Sequence, residues 1–566
     1  MLKNLLRTGV VLLAVLAVPA IAAIQPLEAR VKTPVGPVAE GRVTLPVITW
    51  GADIRTVYAN GNQKQTAKDS IFGQLGLDFA IQRQDVFADQ IKAYRSGKTP
   101  YLRATMGMLN MALESVSDDP RIKPVVIYQL SWSAGGDVLV VKSGIENAAD
   151  LRGKTIAVQA DGPHVDYLGK ILGDAGLTFN DVSVVWTNDL TATDDTPVSA
   201  FYGNGVDAAM VIVPDALALT SGGSVGTGAE GSVKGAAILL STKTANRIIS
   251  DVYAVRADYL AAHPAQVQAF VHGLMKAQEA VAGVFANKSR DKAAYSTMLR
   301  ASAEILLDTP EAVADAEGMY LDAEHTDYAA NVKFFSDAHY PRGMSRLTRE
   351  IQTALAPLGL ASGRGRLEHA NLDYPALKDG LKDVAASETP RFDAGKVAGV
   401  VAKKQQQGTL DDDELFSFEV FFKPNQKVFS ADLYQSDFDR VIEYAFTYGG
   451  ALITVEGHSD PMRYLKLKKK GGNQVVLRQT RQSAKNLSLS RAMAVRQAII
   501  DYAASTQVPL DESQFAVVGH GIEAPKSGTC GSDPCAPQTE QEWRDNMRVQ
   551  FRIIQVEAEA EVFQPL

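Results

Sequence analysis

Residues 150–158 read Asp150-Leu151-Arg152-Gly153-Lys154-Thr155-Ile156-Ala157-Val158. The last four form a short apolar strand pattern, and a helical pattern follows over residues 164–175. The alternation continues outward from this pair. Upstream, Val47-Ile48-Thr49-Trp50 and Pro124-Val125-Val126-Ile127-Tyr128-Gln129-Leu130 read as strands. Downstream, Val182-Ser183-Val184-Val185-Trp186 and Ala208-Ala209-Met210-Val211-Ile212-Val213 do the same, and residues 264–286 read as a helix. Strands separated by helices predict an α/β unit with mostly parallel strands over residues 47–386.

The rest of the chain bounds this unit. The 566 residues are 46% hydrophobic and 22% charged, with net charge −8 and two cysteines. At roughly 100–200 residues per domain, that length holds about three or four domain-sized units. The apolar content excludes a disordered chain, and the mild acidity speaks against a general nucleic-acid binder. Two cysteines cannot build a paired CxxC zinc site. The eight histidines and the acids form no Ser-His-Asp order, metal cluster or paired-carboxylate motif, so no enzyme activity, cofactor or metal is expected.

Lys3 and Arg7, the apolar run after them, Pro19 and Ala20-Ile21-Ala22 predict a cleaved signal peptide over residues 1–23, with a retained anchor as the alternative. Residues 24–46 carry Pro26, Pro34, Pro37 and Pro46 without periodicity and read as a tether. Residues 387–413, with Pro390, Lys403-Lys404-Gln405-Gln406-Gln407-Gly408 and Asp411-Asp412-Asp413, read as a solvated linker. A smaller domain of strands and helices spans residues 414–557, and residues 558–566 form a tail. Within it, Cys530-Gly531-Ser532-Asp533-Pro534-Cys535 can turn back to close a local disulfide between Cys530 and Cys535.

Residues 150–158, Gly203-Asn204-Gly205-Val206-Asp207-Ala208-Ala209, the stretch 258–270 with Ala262-His263-Pro264, and Asn331-Val332-Lys333-Phe334-Phe335 occur in the order of type II periplasmic solute-binding proteins. The chain resembles the sulfonate, nitrate and taurine binders of that family. The resemblance implies a two-lobed periplasmic-binding-protein fold, a small-molecule solute held between the lobes, and delivery to an ABC transporter permease. In such a fold the solute sits at strand C-termini, where helix N-termini converge. The candidate contacts there are Trp50, Asp53, Thr105, Ser131, Ser133, Asp161, His164 and Asp215. Asp161 reads either as a helix cap or as a contact for a cationic or zwitterionic solute, since a carboxylate repels an anion. His164 reads as a packed helix-start residue or a contact, and Trp50 and Trp132 as a sandwich or as core. The glycine-rich run 219–228 lacks a P-loop ending and reads as a loop or a lid.

Val455-Glu456-Gly457-His458-Ser459-Asp460, Leu487-Ser488-Leu489-Ser490-Arg491-Ala492-Met493-Ala494-Val495, Val517-Val518-Gly519-His520-Gly521 and Asn546-Met547-Arg548-Val549-Gln550-Phe551 resemble, in order, the motifs of OmpA-like domains. That resemblance implies a smaller α/β domain that binds peptidoglycan through the diaminopimelate of a stem peptide. Asp460 would accept from the ammonium and Arg491 would clamp a carboxylate, with Asn546 and Arg548 shaping or lining the pocket. If Ser488 caps its helix, Arg491 falls in the first turn against the helix dipole. The basic stretch 463–485 departs from the family pattern and reads as a solvated loop, or as a contact for anionic envelope polymers. Together these readings give a periplasmic, wall-associated solute binder. A protein that uses its two lobes only as a docking surface is the alternative.

Overall fold

The computed structural model describes residues 27–191, 193–229, 231–360, 365–382, 392–407, 414–421 and 431–554. The expected signal segment and the tail lie outside these residues. No helix among them is long and apolar enough to cross a membrane.

β1 (Val43–Val47) and β2 (Phe79–Arg83) pair in parallel, so the end of the expected tether, Pro46 included, already belongs to the fold. A two-stranded edge tolerates a residue without an N–H. β3 (Tyr101–Thr105) and β4 (Pro124–Ser133) enter a first large sheet. The chain then crosses over residues 134–136 to a second sheet. That sheet contains β5 (Asp137–Val141), β6 (Thr155–Gln159), β7 (Ser183–Thr187), β8 (Ala208–Ile212) and β9 (Ala237–Ser241), in the order β7-β6-β8-β5-β9. Residues 242–249 cross back, and β10 (Ser250–Arg256) inserts between β3 and β4. β11 (Ala323–His325) and β12 (Glu368–His369) pair with β4. The result is a two-lobed α/β unit with two crossings.

The strands are less parallel than the alternation predicts. β6 runs parallel to β7 and β8, each reached through a helix. β5 and β10, the strands that follow the crossings, run antiparallel to their neighbours. β4 is buried along its whole length, which explains its continuous apolar run.

β13 (Glu414–Phe421), β14 (Leu452–His458), β15 (Phe515–Gly521), the short pair β16 (Thr529–Cys530) and β17 (Asp533–Pro534), and β18 (Arg548–Ile554) complete the chain. The C-terminal sheet has the order β13-β18-β14-β15, and the Cys530–Cys535 disulfide closes the β16–β17 turn. The helix Gln474–Ser505 crosses from β14 to β15 and lays Ala492, Val495 and Ile499 on Ile453, Val455 and Phe551. Within the expected linker, the structure has a helix, Ala394–Gln407. Its Val397 and Val401 pack on Leu452, Ala516 and Val518, because valines four apart share a helix face. The C-terminal unit also packs on the second lobe: Phe416, Tyr444, Tyr448 and Ile553 share a core with Val165, Leu168 and Leu172.

Candidate functional site

Strand register brings the ends of the two large sheets together at the crossings. Thr105 and Ser131 both lie opposite Asp251, the second residue of β10, and Ser133 lies opposite Ala323. In the second sheet Asp137 lies opposite Ile212, so the segments after β6 and β8 and the start of β5 share one edge.

The side chains on the first sheet's edge form a closed network. The Trp50 indole N–H donates to Ser131 Oγ (3.1 Å), and Ser131 Oγ donates to Asp251 Oδ2 (3.0 Å). Arg103 bridges Asp251 (2.9 Å) and Asp53 (2.8 Å). Burial pushes the Asp53 carboxyl up to about 6, against the pull of Arg103. Burial works against the Arg103 charge, but the two aspartates outweigh it and hold its pKa above the usual value. A buried cation between two carboxylates keeps its charge only when paired in this way.

A second network ties the crossings. Ser133 Oγ donates to Asp137 Oδ2 (2.6 Å), and Asp137 Oδ1 meets His164 Nε2 (2.7 Å). The backbone N–H groups of Gly135 and Asp137, from one crossing, donate to Thr242 Oγ1 on the other, each at 3.1 Å.

Of the predicted solute contacts, Asp53, Ser131, Ser133 and His164 are thus buried and bonded to internal partners, Asp53 to Arg103, Ser131 to Asp251, and Ser133 and His164 to Asp137. His164 takes the packed reading, with no exposed surface. Thr105 caps the helix Met106–Ala112 by accepting from the Met108 N–H. Asp161 precedes the helix His164–Asp174 and pairs with Arg30 rather than capping. Asp215 stands in the first turn of the helix Val213–Leu219; burial raises its pKa, and its Oδ2 has no partner among the described residues. Trp50 is half-buried over Gly136, where a Cβ would sit 2.6 Å from its ring, whereas Trp132 is core against Phe334. The run 219–228 bonds back to Val233 and Ala236 of its own lobe.

Sequence reasoning missed Arg103, Asp251, Thr242 and Asp322. The signal for Arg103 was a lone cation inside Tyr101-Leu102-Arg103-Ala104-Thr105. Asp322 borders Gly135, and burial together with Asp137 pushes it up to about 6.

Residues 71–283 match the protein-family model described as NMT1/THI5 like. No curated protein matches the chain. Among solved structures, the periplasmic aliphatic sulphonate-binding protein SsuA from Escherichia coli is 15% identical, with a TM-score of 0.39, covering 57% of this chain and 89% of that one. The alkanesulfonate-binding protein SsuA from Xanthomonas axonopodis pv. citri, bound to MOPS, is 16% identical, with a TM-score of 0.38, covering 58% and 97%. A putative sulfonate transporter's periplasmic binding protein from Methylobacillus flagellatus is 17% identical, with a TM-score of 0.40, covering 60% and 94%.

In the C-terminal unit, Asp460 follows β14 and is half-buried. Its Oδ2 accepts from the Met462 N–H (3.1 Å), and Oδ1 has no well-aligned partner, with the Trp543 indole nearby. Burial raises its pKa. Arg491 is half-buried and makes no ion pair or hydrogen bond among the described residues, and burial lowers its pKa. The helix start expected at Ser488 is corrected: the helix begins at Gln474, with Asn473 as its cap, so Arg491 lies mid-helix and meets no helix-end dipole. Ser488 Oγ instead accepts from the Gly521 N–H (2.9 Å). The basic stretch 463–485 is helical over most of its length, where a solvated loop was expected. Asn546 and Arg548 face inward. Asn546 bonds Ser527, and Arg548 pairs with Glu419 (2.8 Å), so both are held by internal partners.

Glu456, His458 and His520 lie close enough to suggest a metal site. His520 Nε2 is 2.8 Å from Glu456, and burial drives His458 down to about 2. The Arg552 guanidinium already occupies Glu456 at 2.9 Å, and the positive charge of Arg548 acts on His458 as well. Those cations make the cluster an ion-pair network rather than a cation site.

Proposed function

We propose that the chain is a solute-binding protein of the periplasm, held non-covalently on peptidoglycan. Residues 47–386 would capture a small solute between the lobes and present it to an ABC transporter permease. The observation that carries this reading is the pair of crossings, 134–136 and 242–249, which set polar strand ends of both sheets face to face. Closure would follow from a solute's higher affinity for one lobe arrangement. The family match over residues 71–283 supports the same reading. Mass spectrometry of small molecules that co-purify with the full mature chain tests it. A stoichiometric solute is expected, and a chain that carries none and is stabilised by none overturns it.

For residues 414–557 the OmpA-like reading is supported by two charged groups with spare capacity, the Asp460 carboxylate and the Arg491 guanidinium, which has no partner among the described residues. The end of β14 reaches the helix that bears Arg491, since Ser459 Oγ donates to the Ala484 carbonyl (3.2 Å). A diaminopimelate end presents an ammonium to the first group and a carboxylate to the second. Asp460→Ala and Arg491→Ala are each expected to cut peptidoglycan retention at least roughly tenfold, the scale of one charge-assisted bond. Retention unchanged in both variants rules the clamp out. The expected signal segment would export the chain, or anchor it in the inner membrane if uncleaved.

A docking role for the two lobes is favoured by one observation: Asp53, Ser131, Ser133 and His164 are consumed by internal partners. Absence of any bound solute would favour that reading.

A further inference from the structure

Arg30, at the end of the short helix Leu27–Arg30, forms an ion pair with Asp161. Leu27 and Val31 beside it are buried in the core that also holds Met106 and Leu109, from the helix after β3. This strap therefore touches the first lobe through apolar side chains and the second through a guanidinium. Asp161 is buried, and its φ of 58° is uncommon for a residue with a Cβ. Its Oδ1 accepts no hydrogen bond among the described residues. Asp137 and Asp215 share its sheet edge, and Asp322 borders the crossing at Gly135, where Lys243 offsets part of its charge. An anion entering here would meet carboxylates, whereas a planar cation finds acceptors in place.

We propose that the interlobe site takes a guanidinium-bearing solute whose head group rests on Asp161, the position Arg30 holds as an intramolecular occupant. This inference rests on the solute-capture reading above. A tethered competitor acts at an effective concentration in the millimolar range, so the solute must displace Arg30, and removing Arg30 should tighten binding.

The test is calorimetric titration of the full mature chain, of Arg30→Ala and of the Arg30→Ala/Asp161→Asn double variant, with agmatine and, separately, taurine. Asn tolerates the left-handed backbone at this position, so the double variant should keep its fold, which a thermal melt checks. Agmatine is expected to bind Arg30→Ala roughly tenfold tighter than the unchanged chain, and the double variant should lose that binding. Equal agmatine affinity with and without Arg30, or binding retained in the double variant, overturns the proposal. Taurine binding without agmatine binding overturns the cation class while leaving solute capture intact. Binding of neither overturns the proposal, and the co-purified solute then decides solute capture separately.

Discussion

Asp166 is a carboxyl group shut away from water. It sits in the first turn of the helix His164–Asp174, 2% exposed, and neither carboxylate oxygen accepts a hydrogen bond from another described residue. Gly107 of the opposite lobe packs directly on it. Burial pushes its pKa up to about 8; Glu350 and Asp137 add to the rise and Arg342 opposes it. The folded chain therefore keeps a proton that the unfolded chain releases near pH 4, and stability from this group falls as pH rises from there toward 8. At about 1.4 kcal/mol per pH unit, Asp166→Asn should remove roughly 2–3 kcal/mol of the loss seen between about pH 5 and 7. Urea unfolding of both proteins at intervals across that range measures it, and parallel stability curves would refute it. Single residues of this kind were visible in the sequence but their partners were not. Arg103 stands out as a charge in an apolar strand, yet Asp53 and Asp251 lie 50 and 148 positions away; the pairing of β3 with β10 brings Asp251 to it, and the helical turn Gly51–Asp53 brings Asp53. Asp161 was legible as a carboxylate where an anion would be repelled, while Arg30 lay in a stretch without periodicity.

At the scale of elements, local periodicity carried the strands well and the helix boundaries poorly. Apolar runs at residues 124–130, 155–158 and 208–213 all became strands, because a buried strand writes its burial into consecutive residues. The helix Gln474–Ser505 was misjudged because its first half is basic and solvent-facing, with few apolar positions to mark a period. Its position is fixed by glycine instead. A Cβ at Gly457 of β14 would lie 2.0 Å from the Ser488 carbonyl oxygen, a backbone atom that cannot swing aside. Gly457→Ala should therefore force strand and helix apart, at a cost of about 3 kcal/mol, the upper part of the overpacking range. Because Asp460 and Arg491 sit on those two elements, peptidoglycan retention should fall with it. A thermal melt with no shift would show that the helix can move away freely.

Across the whole molecule, the C-terminal unit and the second lobe are joined by more than a linker. Tyr448 Oη donates to Asp174 (2.5 Å), and Lys170 Nζ reaches Asp174 (2.9 Å), Glu443 (2.7 Å) and Glu350 (3.3 Å). The aromatic contacts of Phe416 with Tyr444 and Tyr448 extend the shared core around this junction. Lys170 is 6% exposed and offsets acids from three helices, two in the solute-binding unit and one in the C-terminal unit. Nothing local in the sequence marks this junction, since Lys170 and Glu443 are 273 positions apart. A covalent linker alone would let the two units melt separately, whereas a shared core with a buried charge cluster couples them. The unchanged chain should therefore unfold in one calorimetric transition. Lys170→Ala leaves Asp174 buried without its cation, a loss of about 3 kcal/mol for a broken buried pair. With the junction weakened, the C-terminal unit should melt as a separate, earlier transition. Two transitions already present in the unchanged chain, at temperatures the substitution does not move, would mean that the units are only tethered and that solute capture and wall binding are energetically independent.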